Sequence, residues 1–388
     1  MIRTCEVKLG KSVKADERLF HALDLLRVLY NAALEERIGA WRKQRKSVSR
    51  FDQYKSLTEI RSANSDYAAL PAEMTRLTTL TRLDLAFKAF FRRVKKGEKA
   101  SGFPRFKGRG RFNTFVFGSV GWKLDGKHLV LKLGGRPLRL RMKNTIHREG
   151  PIKGLRLVRK DERWFAHFVV DIGPAPVVSP AKRCIGIDVG IKIFAMMNDG
   201  SKVGHPRFLK KSCDELKEAQ QKLSMKKRGS NRRERALIEL RRVYEKIVNR
   251  RKDFVRQTVA DLAKKHDGFI IEDLNVKQMM SKENNPKGLS PAQSRGMRRG
   301  IMDSSWSAFF TSLASKAEEA GMPFVRVDPR GTSQRCSGCG ERVQKDLRER
   351  VHNCTNCGLV LDRDLNAAMN IYNLGYRLAC ADAHAEAA

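Results

Sequence analysis

Residues 332–340 read TSQRCSGCG and residues 352–371 read HNCTNCGLVLDRDLNAAMNI, so two Cys-x-x-Cys pairs lie fourteen residues apart, ahead of a helical pattern. A glycine follows each pair and allows a tight turn that directs both sulfurs at one ion. This spacing predicts a zinc site with four ligands, Cys336, Cys339, Cys354 and Cys357. A closed four-thiolate site has no open position for catalysis, so we expect one structural zinc ion.

The other cysteines give little support to the alternative, in which the pairs form disulfides or belong to a core. Cys5, Cys184, Cys213 and Cys380 are scattered singly, and residues 1–11 show no secretory signal. We therefore expect a reducing cytoplasm, where clusters of this spacing bind metal.

The charge of the 388-residue chain predicts a polyanionic partner. Lysine and arginine number 79 against 42 aspartate and glutamate residues, giving a net charge of +37 that is spread over nearly the whole length. Nucleic acid is favoured over a membrane surface, because no basic amphipathic helix with an aromatic apolar face is present. No apolar run approaches the length of a membrane span, so we expect a soluble protein.

The first half combines helical patterns with short strands. Residues 2–9 predict a strand, and two apolar stripes with helical spacing follow, one from Asp16 and one after Pro71. A period of two between residues 115 and 172, with a hairpin turn at Asp125-Gly126, predicts a small antiparallel barrel. The proline-rich linker GPAPVVSPAK (173–182) predicts a domain boundary near residue 178. The first apolar stripe contains Leu19, Leu23, Leu26 and Tyr30, and the second contains Leu77, Leu80, Leu83, Phe87 and Phe91.

Two segments of the first half offer contacts to nucleic acid. The polar face of residues 72–82 is expected to read a short motif in a groove. The loop KASGFPRFKGRGRF (99–112) places cations beside stacking rings, although a basic linker with buried phenylalanine anchors would show the same pattern. The candidate contacts are Arg76, Thr79, Arg82, Arg105, Lys107, Arg109 and Arg111.

The second half predicts a sheet domain with a helical insertion. The stretch CIGIDVGIKIFAMMNDG (184–200) predicts two strands and a turn, and residues 212–265 predict a basic helical hairpin broken near Gly229-Ser230. GFIIEDL (268–274) predicts a strand, and SKENNPKGLSPAQSRG (281–296) predicts a mobile loop. A helix over 303–320 and a strand over 324–327 then lead to the cysteine segment.

Three carboxylates of the second half suit hydrolysis of a phosphodiester by two metal ions. Such a site needs hard oxygen ligands on adjacent rigid elements. Asp188 and Glu272 end apolar strands, and Asp364 opens the last helical pattern. Two strand ends and a helix start can bring distant side chains together. We therefore predict that Asp188, Glu272 and Asp364 bind two Mg²⁺ ions and catalyse the reaction.

Each of these acids also has a simpler interpretation. Asp188 could be a turn residue at a strand end, and Glu272 or its neighbour Asp273 could cap the next element. Asp364 could be a helix N-cap. Asp362 is a less favoured ligand, because Asp364 lies closer to the apolar register of the helix.

The order of these motifs resembles the transposon-encoded TnpB nucleases, relatives of the type V CRISPR effectors. The resemblance rests on GIDVG (186–190), IEDLN (271–275), CSGCG (336–340), CTNCG (354–358) and DRDLNAAMNI (362–371), with weaker matches at LYNAALEER (29–37) and GFPRFKGR (102–109). It implies an α/β multidomain protein of a prokaryotic cell, cytoplasmic and nucleoid-associated. An RNase H-like RuvC nuclease domain would carry an inserted zinc ribbon and follow a β-barrel wedge domain with an inserted helical recognition domain.

The resemblance also implies partners and domain boundaries. A bound guide RNA would direct cleavage of double-stranded DNA beside a short flanking motif, by a protein that is monomeric within the ribonucleoprotein. Alternatives are a compact type V CRISPR effector, an RNA-guided repressor that binds without cutting, and a guide-free resolvase. The implied domains are a wedge strand (1–15), a helical recognition domain (16–100), the wedge barrel (101–178), the nuclease domain (179–331), the zinc ribbon (332–360) and a C-terminal RuvC-like helix and tail (361–388).

Overall fold

The computed structural model describes residues 1–98, 101–281, 289–344 and 349–380, and the chain divides into two compact units, Met1–Pro174 and Ala175–Ala388. The division lies within the proline-rich linker. Among the described residues, none of the helices is long and apolar enough to cross a membrane.

The first unit begins with a strand, continues with helices and ends with antiparallel strands. Its described elements are β1 (Ile2–Lys8), α1 (Val13–Gln44), α2 (Arg50–Ala63), α3 (Ser65–Ala69), α4 (Ala72–Arg76), a π-helical turn (Leu77–Thr81), α5 (Arg82–Lys95), β2 (Thr114–Phe117), β3 (Trp122–Asp125), β4 (His128–Leu131), β5 (Leu138–Arg141), β6 (Ile152–Lys160) and β7 (Arg163–Asp171).

The strands of this unit form two sheets. One has the order β1-β7-β6-β2 and the other the order β3-β4-β5, and a bridge between Leu9 and Met142 links them. The Asp125-Gly126 turn joins β3 to β4 as predicted. Hydrogen bonding within the described residues pairs these strands as two linked sheets, and their closure into a barrel stays a prediction.

The first helical stripe is buried as predicted, whereas the second is buried only in part. Leu19, Leu23 and Leu26 lie in the core with β-strand residues such as Phe168. In the second stripe Leu80 and Leu83 are buried, but Phe91 is 60% exposed. The π-helical turn adds a residue to one turn and so rotates the following side chains away from an α-helical register.

The second unit is built around a mixed sheet. Its described elements are β8 (Cys184–Val189), β9 (Ile193–Met197), β10 (Lys202–Gly204), α6 (Phe208–Lys211), α7 (Cys213–Ser224), α8 (Asn231–Lys265), β11 (Gly268–Glu272), α9 (Val276–Met279), α10 (Pro291–Ser304), α11 (Trp306–Ala320), β12 (Phe324–Val327), β13 (Val351–Asn353), β14 (Val360–Asp362) and α12 (Arg363–Cys380). The sheet order is β10-β9-β8-β11-β12, and β11 is parallel to both of its neighbours.

Helices cover both faces of this sheet. Ile187 and Ile271 pack into a core with residues of α8 and α11, such as Val259 and Leu313. On the opposite face, Ile270 packs with Ile371 of α12. The predicted helical hairpin is present as α7 and α8, which pack against each other.

The predicted mobile loop over 281–296 is wrong for its last part. Pro291 begins α10, and Ser290 and Gln293 form a capping box at its N-terminus. Residues 282–288 lie outside the described residues. The helix predicted over 303–320 is divided at Ser305, whose φ of 56° separates α10 from α11.

Candidate active site

The two acidic strand ends lie side by side on one face of the main sheet. β8 and β11 pair in parallel with Ile187 opposite Ile271, so Asp188 and Glu272 are the next residues in register. Because side chains alternate along a strand, both carboxylates share the face opposite to these isoleucines. That face is the one covered by α12.

α12 approaches β8 closely at Gly186. A Cβ atom at Gly186 would lie 2.7 Å from the carbonyl oxygen of Ala368 and 2.8 Å from the backbone nitrogen of Tyr372. Glycine therefore allows a backbone approach that a side chain would prevent. Asp364 lies four residues, about one turn, before Ala368 in α12, so this contact brings its carboxylate to the strand ends.

The structure distinguishes Asp364 from Asp362. The Oδ1 atom of Asp362 accepts hydrogen bonds from the backbone N–H groups of Asp364 at 2.7 Å and Leu365 at 3.3 Å. Asp362 thus fills the N-cap role that was an alternative for Asp364. The Asp364 carboxylate lies 3.5 Å from the Arg350 guanidinium and 3.4 Å from that of Arg363.

Glu272 and Asp273 are distinguished in the same way. The Glu272 side chain is buried, with 8% exposed, and its Oε1 accepts a hydrogen bond from Thr332 Oγ1 at 2.5 Å. Asp273 is exposed and pairs with Arg326 at 3.0 Å. Glu272 is therefore the acid that faces α12.

The electrostatics of the three acids favour a cation. Burial, then the charges of Glu272 and Asp364, raise the pKa of Asp188 well above its usual value, and Arg363 opposes this shift. Burial also raises the pKa of Glu272, while the Thr332 hydrogen bond lowers it. A set of mutually repelling carboxylates, of which Glu272 is buried and Asp188 and Asp364 are partly exposed, offers the hard oxygen ligands that Mg²⁺ prefers.

The sulfur atoms of the four cysteines form a compact cluster. All four lie within 4.8 Å of one another, with 3.6 Å between Cys336 and Cys357 and 3.6 Å between Cys339 and Cys354. The predicted cluster is confirmed, and its thiols could bind zinc. Within the described ranges, this cluster is the one group of three or more possible metal ligands whose ligand atoms all lie within 4.8 Å of one another. The carboxylate oxygens of the three acids are therefore farther apart than that.

The thiols of this cluster share their protons unequally. The Asn356 amide and a backbone N–H lower the pKa of Cys339 to about 6. A backbone N–H lowers the pKa of Cys357, but the neighbouring thiols outweigh it and raise the value to about 12. Four crowded thiolates would repel one another, so a divalent cation suits this cluster.

Two asparagines of α12 bind the cysteine segment, and sequence reasoning missed both. Asn366 accepts a hydrogen bond from the backbone N–H of Ser337 at 2.9 Å and donates to the carbonyl of Arg335 at 2.7 Å. Asn370 donates to the carbonyls of Thr332 at 2.8 Å and Arg335 at 2.7 Å. Their spacing of four residues on one helix face was the available signal.

The predicted nucleic-acid contacts of the 72–82 face are only partly exposed. Arg76 is exposed, but Thr79 is fully buried and donates its hydroxyl to the Thr75 carbonyl at 2.6 Å. The prediction for Thr79 is therefore corrected. Arg82 is half-buried, with its guanidinium 5.0 Å from the centre of the Phe112 ring.

The basic loop combines both interpretations that its sequence allowed. Phe112 is buried, whereas Phe103 and Phe106 are about half exposed. Asn31 hydrogen-bonds both backbone groups of Lys107, at 2.8 and 3.0 Å, and so anchors the loop. The exposed cations of the loop are Arg105, Arg109 and Arg111.

Two family models match this chain. The OrfB_IS605 model, described as "Probable transposase", matches residues 167–283, and the model "Cas12f1-like, TNB domain" matches residues 306–371. The second range contains the cysteine cluster and the start of α12. The chain is thus a mixed α/β protein with a Cas12f1-like TNB domain.

Relatives match over most of the chain. A protein of Streptomyces pristinaespiralis named "Putative RNA-guided DNA endonuclease" is 30% identical over 372 residues, covering 92% of this chain and 85% of that protein. "Putative RNA-guided DNA endonuclease InsQ" of Escherichia coli (strain K12) is 28% identical over 78% of this chain and 75% of its own length.

Among solved structures, the mini-RNA-guided endonuclease CRISPR-Cas_phi3 is 10% identical and covers 97% of this chain and 92% of its own, with a TM-score of 0.44. A TM-score at this level supports no inference about function. The transposase model, in contrast, contains Asp188 and Glu272, the TNB model contains the four cysteines and Asp364, and the similarity to the Streptomyces protein covers 92% of the chain. The chain therefore belongs to the TnpB family of RNA-guided DNA endonucleases.

Proposed function

We propose that this chain is an RNA-guided DNA endonuclease that hydrolyses target DNA at a single RuvC-like site in its second unit. The observation that carries the proposal is the placement of Asp188 and Glu272 on the sheet face under α12, the helix that carries Asp364. The sheet order β10-β9-β8-β11-β12 supports an RNase H-like fold. The net charge of +37 suits a large RNA and a DNA duplex as partners.

The chemistry depends on rigid placement of oxygen ligands. Two Mg²⁺ ions bound there would activate water and stabilise the leaving oxygen. Asp188 and Glu272 would hold them from paired strands, which restrict movement of the two carboxylates relative to each other. Asp364 would complete the set from α12. Arg350, which is exposed over nearly half of its side chain, is placed beside Asp364 to neutralise an approaching phosphate.

The remaining domain assignments belong to the same proposal. Residues 1–15 and 101–178 would form a wedge domain, with a helical recognition domain at 16–100, and the exposed Arg105, Arg109 and Arg111 would contact RNA or DNA backbone. Residues 179–331 and 361–388 would form the nuclease domain. Zinc would hold the ribbon over 332–360. The protein would act as a monomer within its ribonucleoprotein.

The test is cleavage of a DNA that matches the bound guide, by the purified ribonucleoprotein in Mg²⁺. Asp188→Ala and Glu272→Ala are expected to abolish cleavage while RNA and target binding persist. Asp273→Ala is the matched control, because this carboxylate follows Glu272 in the chain but lies on the surface with Arg326. Its cleavage rate should equal that of the wild type.

Three results would contradict the proposal in different ways. Loss of binding together with cleavage in Asp188→Ala would refute the site. A wild-type complex that binds matched DNA without cutting it would favour an RNA-guided repressor. Purified protein that carries no specific RNA on sequencing would favour a guide-free resolvase.

A further inference from the structure

We propose that Thr332 is a positioning residue for Glu272 and that, through it, the cysteine cluster controls metal binding at the acids. This inference rests on the proposed function, since it assigns Glu272 as a metal ligand. Thr332 is not itself a ligand in this scheme, because its hydroxyl acts on the carboxylate.

The Thr332 hydroxyl is buried against the carboxylate. Thr332 is 2% exposed, and its Oγ1 lies 2.5 Å from Glu272 Oε1 and 3.1 Å from the carbonyl of Pro329. A hydroxyl has one proton to donate, and the charged carboxylate is both the closer and the stronger acceptor. The bond therefore fixes the orientation of the Glu272 carboxylate and leaves its second oxygen available to a cation.

Hydrogen bonds connect Thr332 to the cysteine segment. Its carbonyl accepts from Asn370, which also donates to the carbonyl of Arg335, the residue before Cys336. Asn366 bonds to Arg335 and to the backbone N–H of Ser337, the residue after Cys336. The backbone on both sides of Cys336 is thus tied to two asparagines of α12, and one of them, Asn370, also holds Thr332.

This path gives the cluster a role beyond folding its own segment. A metal that holds the four thiols together fixes the backbone at Cys336. Through the hydrogen bonds of Asn366 and Asn370 to this segment, the position of Thr332 is then restrained as well. When the cluster is broken, Thr332 loses its anchor. Glu272 then loses the Thr332 hydroxyl, the one hydrogen-bond partner that the described part of the chain gives its carboxylate. The two metal sites are then energetically coupled although their ligands differ.

The first experiment compares Thr332→Val with Thr332→Ser. Valine keeps the shape but removes the hydroxyl, whereas serine keeps the hydroxyl. Removal of a group that orients a metal ligand typically costs about 10- to 100-fold in metal affinity or activity. We expect Thr332→Val to lower the single-turnover cleavage rate and to raise the half-saturating Mg²⁺ concentration by about that factor, and Thr332→Ser to restore both.

Thr258→Val is the matched control, because Thr258 is also a buried threonine of the second unit, in α8, away from the acids. It should leave the rate and the Mg²⁺ dependence unchanged. Zinc content and RNA affinity are expected to match the wild type in all three variants. A Thr332→Val protein with the wild-type rate and Mg²⁺ dependence would overturn the positioning role, as would a Thr332→Ser protein no better than valine.

A second readout does not depend on cleavage. Binding of Mn²⁺ to the full-length, RNA-free protein, followed by electron paramagnetic resonance, should weaken by a similar factor in Thr332→Val. Wild-type protein that fails to cut would refute the proposed function, but the Mn²⁺ measurement would still decide the role of Thr332.

The coupling to the cysteines is tested by a double-mutant cycle. Cys354→Ser, which breaks the cluster, should weaken Mn²⁺ binding although Cys354 is not a ligand of that ion. In a Thr332→Val background the same change should have little further effect, because the link has already been removed. Additive losses of Mn²⁺ affinity would overturn the coupling.

Discussion

The close approach of α12 to β8 makes Gly186→Ala a sharp test of the site. The new Cβ would lie 2.7 Å from the carbonyl oxygen of Ala368, whereas ordinary contacts begin at 3.4 Å, so the helix must withdraw by about 0.7 Å. Two of the three contact atoms belong to the backbone of α12 and the third is the Cβ atom of Tyr372, so none of them can rotate away. Overpacking of this kind costs about 1–3 kcal/mol, or several degrees in the unfolding midpoint of a domain of this size.

The same withdrawal displaces Asp364, which lies one turn earlier in α12. Because a misplacement of about 1 Å can lower a rate by about 100-fold, a shift of this size should lower cleavage at least about 10-fold. Single-turnover cleavage at saturating RNA and DNA, with a thermal unfolding curve for the same preparation, measures both effects. Gly204→Ala is the control, since a Cβ added at Gly204 would meet no atom within 4 Å. Wild-type cleavage by Gly186→Ala would refute the assigned role of α12.

Three further predictions concern other parts of the chain. Cys354→Ser should abolish zinc binding, measured as metal content per chain, and lower the unfolding midpoint; retained zinc would contradict the four-thiol site. Arg251→Met should lower the free energy of unfolding, measured by urea denaturation, by about 3–5 kcal/mol. The substitution leaves the buried carboxylate of Asp303, which lies 2.6 Å from Arg251, without its cation. A loss below about 1 kcal/mol would contradict this prediction. Arg109→Gln should reduce the salt dependence of RNA binding by about one unit of slope without changing stability, whereas Thr79→Val should leave RNA affinity unchanged.

The shared face of the two strand-end acids and the clustering of the four cysteines could be predicted, because each leaves a local pattern in the sequence. Asp188 and Glu272 each end a short apolar strand, and alternation then decides which face their side chains share. The cysteines are defined by spacing alone. The choice of Asp364 over Asp362 could be made from the helical register, and the structure adds the reason, since Asp362 caps the helix.

Other parts depend on partners that are distant in sequence. Thr332 acts through a hydrogen bond to Glu272, sixty residues earlier in the chain, and no periodic pattern in the sequence indicates such a partner. Thr79 was expected to be exposed because it is polar, but a threonine in a helix can satisfy its hydroxyl on the preceding turn and be buried. The sequence contains the capping box of α10 at Ser290 and Gln293, which indicates a helix start, but the polar composition of 281–296 predicts a loop.

The placement of α12 across the sheet has a consequence during translation. The strands that carry Asp188 and Glu272 leave the ribosome well before the helix that carries Asp364. Until that helix arrives, Ile270 and Val327 lack the cover that Ile371 provides, and the set of acids is incomplete. If the three acids act as proposed, a growing polypeptide could cut DNA only after α12 has been synthesised and docked, which would couple the onset of nuclease activity to formation of the complete site.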